Sequence, residues 1–123
     1  MVATTKGVGD EGEVRALAHL LRQGLKLVRR NYRVAAGPRA RGGEVDLILR
    51  DRDGTMVFVE VRSRRTDGHG GAAGSVTPSK QRSVLYAARH YLMEFATFPP
   101  CRFDVVSIEG DRIDWLQAAF SDG

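Results

Sequence analysis

A β-hairpin is predicted from GEVDLILRDRDGTMVFVEVR, the segment of residues 43–62. In residues 44–50 and again in residues 55–62, every second residue on one face is apolar while the charged residues Glu44, Asp46, Glu60 and Arg62 fall on the other, and this period of two is typical of strands. Aspartate and glycine in Asp51–Gly54 mark a turn between the two runs. The pattern therefore predicts an antiparallel pair of strands within a sheet.

Two turns are compatible with this hairpin, and they place Glu60 differently. A three-residue turn that ends with a left-handed Gly54 brings Asp46 directly opposite Glu60. A two-residue turn instead pairs Asp46 with Val61 and sends Glu60 to the opposite face. We favour the first turn, because it collects Asp46, Glu60 and Arg62 on one face of the hairpin. The other face is then apolar and carries Val45, Leu47, Val57, Val59 and Val61.

Further helices and strands are predicted on both sides of the hairpin. In chain order they are a helix at residues 10–23, a strand at 25–34, a loop at 35–43, the hairpin, a glycine-rich loop at 67–75, a helix from 78 to about 95, and strands at 101–108 and 112–116. The order αβββαββ predicts an α/β fold of the mixed α+β kind, in which helices flank a mixed sheet.

The composition is that of an ordinary folded protein. Of the 123 residues, 42% are apolar and 28% are charged, and the single cysteine excludes an intrachain disulfide and a four-thiolate metal site. No apolar run approaches the roughly 20 residues of a membrane helix, and residues 1–10 lack the apolar core of a signal peptide. We therefore expect one cytoplasmic domain at residues 10–118, with no membrane partner. A flexible N-terminal tail at 1–9 and a C-terminal tail at 119–123 are expected to flank it.

Positive charge is concentrated in the first half of the chain. The net formal charge is +4, yet residues 1–65 hold 14 basic and 8 acidic side chains, and no acid occurs between Val14 and Gly43. Such a surface suits a polyanion such as nucleic acid. A solvated, arginine-rich surface would show the same pattern. The candidate phosphate contacts are six basic residues, Arg29, Arg30, Arg33, Arg41, Arg64 and Lys80.

Two carboxylates that face each other across a sheet repel. Asp46 and Glu60 therefore need a compensating charge, because buried charges are costly unless they are paired or bound to a metal. An arginine such as Arg62 or Arg64 would turn the pair into a structural ion cluster. A divalent cation is the other solution, and oxygen ligands suit Mg²⁺ or Mn²⁺. The spacing of the residues leaves both solutions open.

Two further acids have an uncertain place in the predicted sheet. Glu13 lies four residues before Leu17 and seven before Leu20 on the first predicted helix, so this helix could aim it at the sheet. A carboxylate in a first turn also complements the helix dipole, and the residues alone favour that simpler role. Asp104 lies in an apolar strand, where we expect a hydrogen-bonded structural role over support of the acidic pair.

Short motifs follow one another in a specific order along residues 6–116. They are Gly12-Glu13, Gly24, Asn31-Tyr32-Arg33, GEVDLI at 43–48, FVEVRSR at 58–64, the helix of residues 77–92 and RFDVV at 102–106. In this order and spacing they resemble the YraN-like family of small bacterial proteins. That family is similar to archaeal Holliday-junction resolvases and hence to the PD-(D/E)xK nucleases. The resemblance implies a restriction-endonuclease-like core.

The resemblance also implies which residues form a site. The nuclease pattern is a helix glutamate, an aspartate on one strand and Glu-x-Lys on the next, and Glu13, Asp46 and Glu60 match its three acids. In that superfamily the aspartate and the second glutamate hold Mg²⁺, often with the backbone carbonyl of the following residue, here Val61. The implied metal ligands for Mg²⁺ or Mn²⁺ are thus Asp46, Glu60, Val61 and Glu13, and the implied chemistry is in-line attack of an activated water on a phosphodiester.

The sequence departs from this pattern at the lysine, because Arg62 occupies that position. Arginine stays protonated and cannot act as a general base, but it can bind the scissile phosphate and stabilise developing negative charge. Arg62 therefore joins Asp46, Glu60 and Glu13 as a candidate catalytic residue. Lys80 is either a displaced equivalent of the missing lysine or a surface lysine. The literal proline–aspartate pair is absent as well.

Three functions compete on these observations. The leading hypothesis is a Mg²⁺- or Mn²⁺-dependent endonuclease that hydrolyses DNA phosphodiester bonds, with structured or branched DNA suggested by analogy. The second is a nucleic-acid-binding module that has the nuclease fold and weak or no catalysis, since Arg62 replaces lysine. The third is a structural or partner-binding protein whose acids form ion pairs. Because the similar resolvases act as dimers, the resemblance also suggests a homodimer.

Overall fold

The computed structural model describes residues 7–38, 41–64 and 76–121. Seven elements follow in chain order: α1 at Gly7–Arg22, β1 at Lys26–Val34, β2 at Gly43–Arg50, β3 at Met56–Arg64, α2 at Pro78–Leu92, β4 at Cys101–Glu109 and β5 at Arg112–Phe120. The order αβββαββ is confirmed, and the fold is a mixed α/β fold with one five-stranded sheet and two helices. Within the described ranges, no helix is long and apolar enough to cross a membrane.

The first and last elements are longer than predicted. α1 begins at Gly7, so residues 7–9 belong to this helix and not to a tail. β5 runs to Phe120 because Phe120 pairs with Phe103 of β4, so residues 119 and 120 are also part of an element. Residues 1–6 and the glycine-rich loop predicted at 67–75 lie outside the described residues.

α2 starts as predicted and ends three residues early. The hydroxyl of Thr77 caps the helix by accepting a 3.1 Å hydrogen bond from the backbone N–H of Lys80. The helix ends at Leu92, because the amides of Glu94 and Phe95 bond to carbonyls three residues back instead of four. This tighter turn closes the helix before the predicted end near Phe95.

The five strands lie in the order β1-β2-β3-β4-β5. β1–β2, β2–β3 and β4–β5 pair antiparallel, and β3–β4 pair parallel. A parallel pair needs a long crossover connection, and α2 provides it between β3 and β4. The sheet is therefore mixed, as predicted, and the crossover helix lies over the face of the central strands.

Each face of the sheet carries its own apolar core. α1 covers the first, which includes Ala16, Leu20, Leu47, Leu49, Val57, Val59, Val106 and Ile108. α2 covers the second, which includes Ile48, Met56, Phe58, Val84, Ala88, Tyr91 and Phe103. Alternate residues of β3 go to opposite cores, as the pleat of a strand requires. The two helices thus approach the sheet from opposite sides.

Val45 lies on a different face from the one predicted. It packs with Tyr32 in the core under α2, whereas Leu47 packs in the core under α1. Residues two apart share a face in a regular strand, so Val45 and Leu47 were expected in the same core. Asn31 of β1, which the register places opposite Asp46, has a left-handed φ of 52°. Val45 and Leu47 thus contribute to different cores, which strict alternation does not anticipate.

Gly43→Ala is expected to lower the free energy of unfolding by about 1–3 kcal/mol, because it overpacks a close approach of two backbones. A Cβ at Gly43 would lie 2.5 Å from the carbonyl oxygen of Ser83 and 2.8 Å from the amide of Ala87, both in α2. Urea unfolding measures the effect. Gly37→Ala is the matched control, since a Cβ there meets nothing within 4 Å. Equal stability of the two variants would contradict the prediction.

Candidate functional site

The turn between β2 and β3 sets the position of the predicted acids. The amide of Asp51 donates a 2.9 Å hydrogen bond to the carbonyl of Thr55, and the amide of Gly54 donates one of 3.0 Å to the carbonyl of Asp51. Gly54 has a φ of 92°, as the three-residue turn requires. The strand register pairs Leu47 with Val59. The three-residue turn is confirmed, and the next step of the same register places residues 46 and 60 opposite each other.

Asp46 and Glu60 form a buried carboxyl pair at this position. Asp46 is 7% exposed and Glu60 is 2% exposed. Oδ2 of Asp46 accepts a 2.8 Å hydrogen bond from the backbone N–H of Val61, and the two carboxyl groups lie close enough for each to shift the pKa of the other. Val61 therefore contributes its amide to the pair, and the role of its carbonyl as a metal ligand stays a prediction.

Burial shifts the titration of both carboxyl groups. Loss of hydration raises the pKa of Glu60 to about 8, and the neighbouring Asp46 carboxylate adds to the rise, while Lys80 opposes it. Burial also raises the pKa of Asp46, against the hydrogen bond from Val61 and the charge of Lys80. At neutral pH the metal-free pair therefore holds a proton, which allows two carboxyl groups to lie side by side.

The metal-free protein is expected to lose stability as the pH rises from 4.5 to about 8, the ordinary and the folded pKa of Glu60. Below pH 4.5 the Glu60 carboxyl is protonated in both the folded and the unfolded protein, and its contribution to the free energy of unfolding is fully present. At higher pH the unfolded chain ionises first, and the contribution is lost by the time the pH passes the folded pKa. Urea unfolding in a chelator measures this loss. Glu60→Gln should remove this part of the pH dependence, and parallel pH profiles for the two proteins would contradict the assignment.

Two cationic side chains accompany the pair. Lys80 reaches it from the first turn of α2, with Nζ 3.7 Å from Oε2 of Glu60 and 31% of the side chain exposed. Arg62 is half-buried on β3, and its charge lowers the pKa of Glu60. Nε of Arg62 has no hydrogen-bond acceptor among the described residues. Of the two roles open to Lys80 from the sequence, its position favours the one within the site.

Glu13 lies on α1, which packs on the opposite face of the sheet from α2. The neighbouring Gly12 is buried against β3, where an added Cβ would overlap the hydroxyl of Ser63. Over residues 7–38, 41–64 and 76–121, no group of three or more His, Cys, Asp or Glu side chains is arranged to hold a metal ion. The structure thus brings two of the predicted acids together, and a role for Glu13 as a third ligand stays a prediction.

The predicted phosphate-binding arginines divide between different parts of the fold. Arg29, Arg30 and Arg33 lie exposed on the edge strand β1. Arg41 donates a 3.3 Å hydrogen bond to a serine at the start of α2. Arg64 is the last residue of β3. Arg41 is thus hydrogen-bonded to the helix that supplies Lys80.

The basic face of α2 was not predicted from the sequence. Arg82 and Arg89 are exposed on this helix, together with Tyr86. Their spacing of four and seven residues places all three on one face. This periodicity was visible in the sequence, but the run of arginines before residue 43 gave the stronger charge signal.

Asp104, a fully buried carboxylate on β4, has a structural role. Its oxygens accept hydrogen bonds from Nε of Arg102 at 3.1 Å, from Nε1 of Trp115 at 2.9 Å and from the amide of Ala118 at 2.9 Å. Arg102 also donates to Asp51 at 2.9 Å. The hydrogen-bonded role expected for Asp104 is confirmed, because these partners tie β4 to β5 and to the hairpin turn.

Residues 12–108, from α1 to β4, match the model of a family described as uncharacterised protein family UPF0102, and the chain belongs to this family. The resemblance to the YraN-like family is thereby confirmed. A UPF0102 protein from Methylibium petroleiphilum is 71% identical over 119 residues, which is 97% of this chain and 98% of that protein. One from Acidovorax sp. is 59% identical over 95% of this chain and 86% of its own length. One from Cupriavidus taiwanensis is 61% identical over 91% of this chain and 81% of its own length.

Proposed function

We propose that the chain is a Mg²⁺- or Mn²⁺-dependent endonuclease that hydrolyses phosphodiester bonds of DNA, with structured or branched DNA as its substrate class. The observation that carries the proposal is the buried pair of Asp46 and Glu60, with Lys80 against it. A structural ion cluster would keep both acids charged beside an arginine, whereas burial raises the pKa of both carboxyl groups here. Strongly shifted carboxyl groups are typical of functional sites.

The donor atoms of the pair suit a hard divalent cation. Oε1 of Glu60 is buried and accepts no hydrogen bond from the described residues, so it has an unused lone pair for a metal. Asp46 and Glu60 would hold the ion, with the Val61 carbonyl and Glu13 as the further ligands that the resemblance implies. When bound, such an ion supplies an acidified water and neutralises charge on the phosphate.

The cations of the site act on the phosphate. Arg62 stays protonated and offers its unsatisfied Nε to a phosphoryl oxygen, which stabilises negative charge as the bond to the leaving oxygen breaks. Lys80 supplies a second positive charge from α2. We therefore assign Lys80 the place of the lysine that is missing from β3, and expect it to pair with the substrate phosphate once a metal occupies Glu60.

The architecture supports a restriction-endonuclease-like core as part of this proposal. The acids lie on an antiparallel hairpin whose second strand continues, through a helix, into a parallel neighbour. Such a fold is compatible with many activities, so the site and not the sheet supports the nuclease. Pairing into a homodimer would suit two-fold symmetric DNA junctions, and light scattering of the protein with and without DNA tests this part.

A nucleic-acid-binding module without catalysis is the second candidate. Two observations favour it: Arg62 cannot replace a lysine that gives up a proton, and the described residues assemble a pair of acids rather than three. Such a module would still use the arginines of β1 and α2 to bind phosphates.

Incubation of the purified protein with labelled branched and linear DNA separates the two candidates. The endonuclease should cleave in Mg²⁺ or Mn²⁺ and stop in a chelator. Binding without cleavage under every metal condition would reject the nuclease and support the module. Absence of cleavage together with a DNA affinity that does not depend on salt would reject any contact with the phosphate backbone.

A further inference from the structure

A groove runs along the polar face of α2, beside the acidic pair. It encloses about 790 Å³, a volume within the range of ligand-binding sites. Four cationic side chains line it, Arg41, Lys80, Arg82 and Arg89, and none of the described residues that line it is acidic. The first turn of α2 also contains no acid. The groove is therefore built for an anion.

Tyr86 gives the groove a second, aromatic property. It lies between Arg82 and Arg89 along the helix and is 40% exposed, unlike Tyr91 on the buried face of α2. A large aromatic side chain in a cationic groove makes little contribution to the core. Aromatic rings in basic grooves stack on the bases of single-stranded nucleic acid, while the cations follow its phosphates.

Lys80 connects the groove to the acidic pair. It lines the groove, and its Nζ is 3.7 Å from Oε2 of Glu60. A strand that lies along α2 would thus lead one phosphate to the carboxyl groups. Paired bases in a duplex are stacked on one another and unavailable to Tyr86, whereas an unpaired segment exposes them.

We propose that this groove binds an unpaired segment of a DNA strand, with Arg41, Arg82 and Arg89 on its phosphates and Tyr86 stacked on a base. The proposal rests on the proposed nuclease function and deepens it, since it names DNA with unpaired strands next to the cleavage point as the substrate. The proposal predicts that the groove binds DNA in the absence of metal. Binding can therefore be measured separately from catalysis.

Fluorescence anisotropy with labelled oligothymidylate and with a duplex of the same length, both in a chelator, tests the groove. Tyr86→Ala should raise the dissociation constant for the single strand about tenfold, and Tyr86→Phe should leave it nearly unchanged, because the ring is retained. Arg82→Ala with Arg89→Ala should reduce the slope of log affinity against log salt by about 0.7 for each lost contact. Arg112→Ala, which removes an exposed arginine on β5, is the matched control and should keep the slope of the unaltered protein.

Three results would overturn the proposal. They are unchanged single-strand affinity in Tyr86→Ala, an unchanged salt slope in the double arginine variant, and an equal loss of duplex and single-strand affinity in Tyr86→Ala. All these measurements are made without metal on protein whose circular dichroism is unchanged. A failure of the nuclease proposal, seen as absence of cleavage, is therefore distinguishable from a failure of the groove.

Discussion

Asp46→Asn is expected to lower the rate of metal-dependent DNA cleavage by about 10³-fold, the order of effect that follows removal of a group acting directly on the transition state. The asparagine has nearly the same shape and can still accept the hydrogen bond from Val61. What it loses is the negative charge that, together with Glu60, would hold the cation. Initial rates on a labelled branched DNA measure the effect, and calorimetric titration of Mn²⁺ should show a parallel loss of affinity.

Asp114→Asn is the control for this variant. Asp114 is a half-exposed carboxylate on β5 that pairs with Arg112, so its replacement changes the net charge by the same amount away from the pair. It should leave cleavage and Mn²⁺ affinity unchanged. Cleavage that persists in Asp46→Asn would identify a contaminating nuclease and remove the basis of the proposal.

A loss of folding stability is not expected to cause the loss of activity in Asp46→Asn. The substitution removes the Asp46 carboxylate, whose charge raises the pKa of the buried Glu60, so the metal-free variant should be as stable as the unaltered protein or more stable. Urea unfolding in a chelator measures this. A variant that is both inactive and markedly less stable would indicate that Asp46 has a structural role and not a role in metal binding.

The position of the acidic pair was predictable because local chemistry sets it. Gly54 can adopt the left-handed conformation, and that conformation selects the three-residue turn and hence the register of the hairpin. Once the register is fixed, Asp46 and Glu60 must face each other. This part of the site lies within fifteen residues of chain and needs no knowledge of the remaining fold.

Features that depend on distant parts of the chain were not predictable in the same way. Val45 packs with Tyr32 in the core under α2 while Leu47 packs under α1, and no periodicity within β2 reports this. Lys80 reaches Glu60 because the crossover helix returns over the sheet, which fixes their distance only in the folded chain. Similarly, the location of Glu13 relative to the acidic pair depends on which face of the sheet α1 covers, and its position within the helix does not reveal this.

The basic groove shows a third kind of difficulty. Its residues come from the loop before β2 and from one face of α2, and neither segment has a strong signal alone. The helical spacing of Arg82, Tyr86 and Arg89 is visible in the sequence, but a solvated helix face has the same spacing. The neighbouring Arg41 and the acidic pair distinguish the two possibilities, and they are brought together only by the packing of α2 on β2.

Asp104→Ala is expected to lower the free energy of unfolding by about 3–5 kcal/mol, the cost of breaking a buried ion pair by removal of one partner. The fully buried carboxylate accepts hydrogen bonds from Arg102, Trp115 and the amide of Ala118. Without it the indole and the amide lose their acceptor, and the guanidinium keeps only Asp51. Urea unfolding measures the change.

Two further variants distinguish a buried network from a simple loss of charge. Asp114→Ala removes a surface partner of Arg112, and its effect should stay within about 1 kcal/mol, because exposed ion pairs contribute little. Asp104→Leu combined with Arg102→Met should recover part of the stability lost in Asp104→Ala, since no buried charge is then left alone. If Asp104→Ala and Asp114→Ala were equally stable, the network would not be what joins β5 to the sheet.

Because Asp104 lies apart from the acidic pair in this network, the fraction of Asp104→Ala that remains folded should still bind Mn²⁺, in contrast to Asp46→Asn.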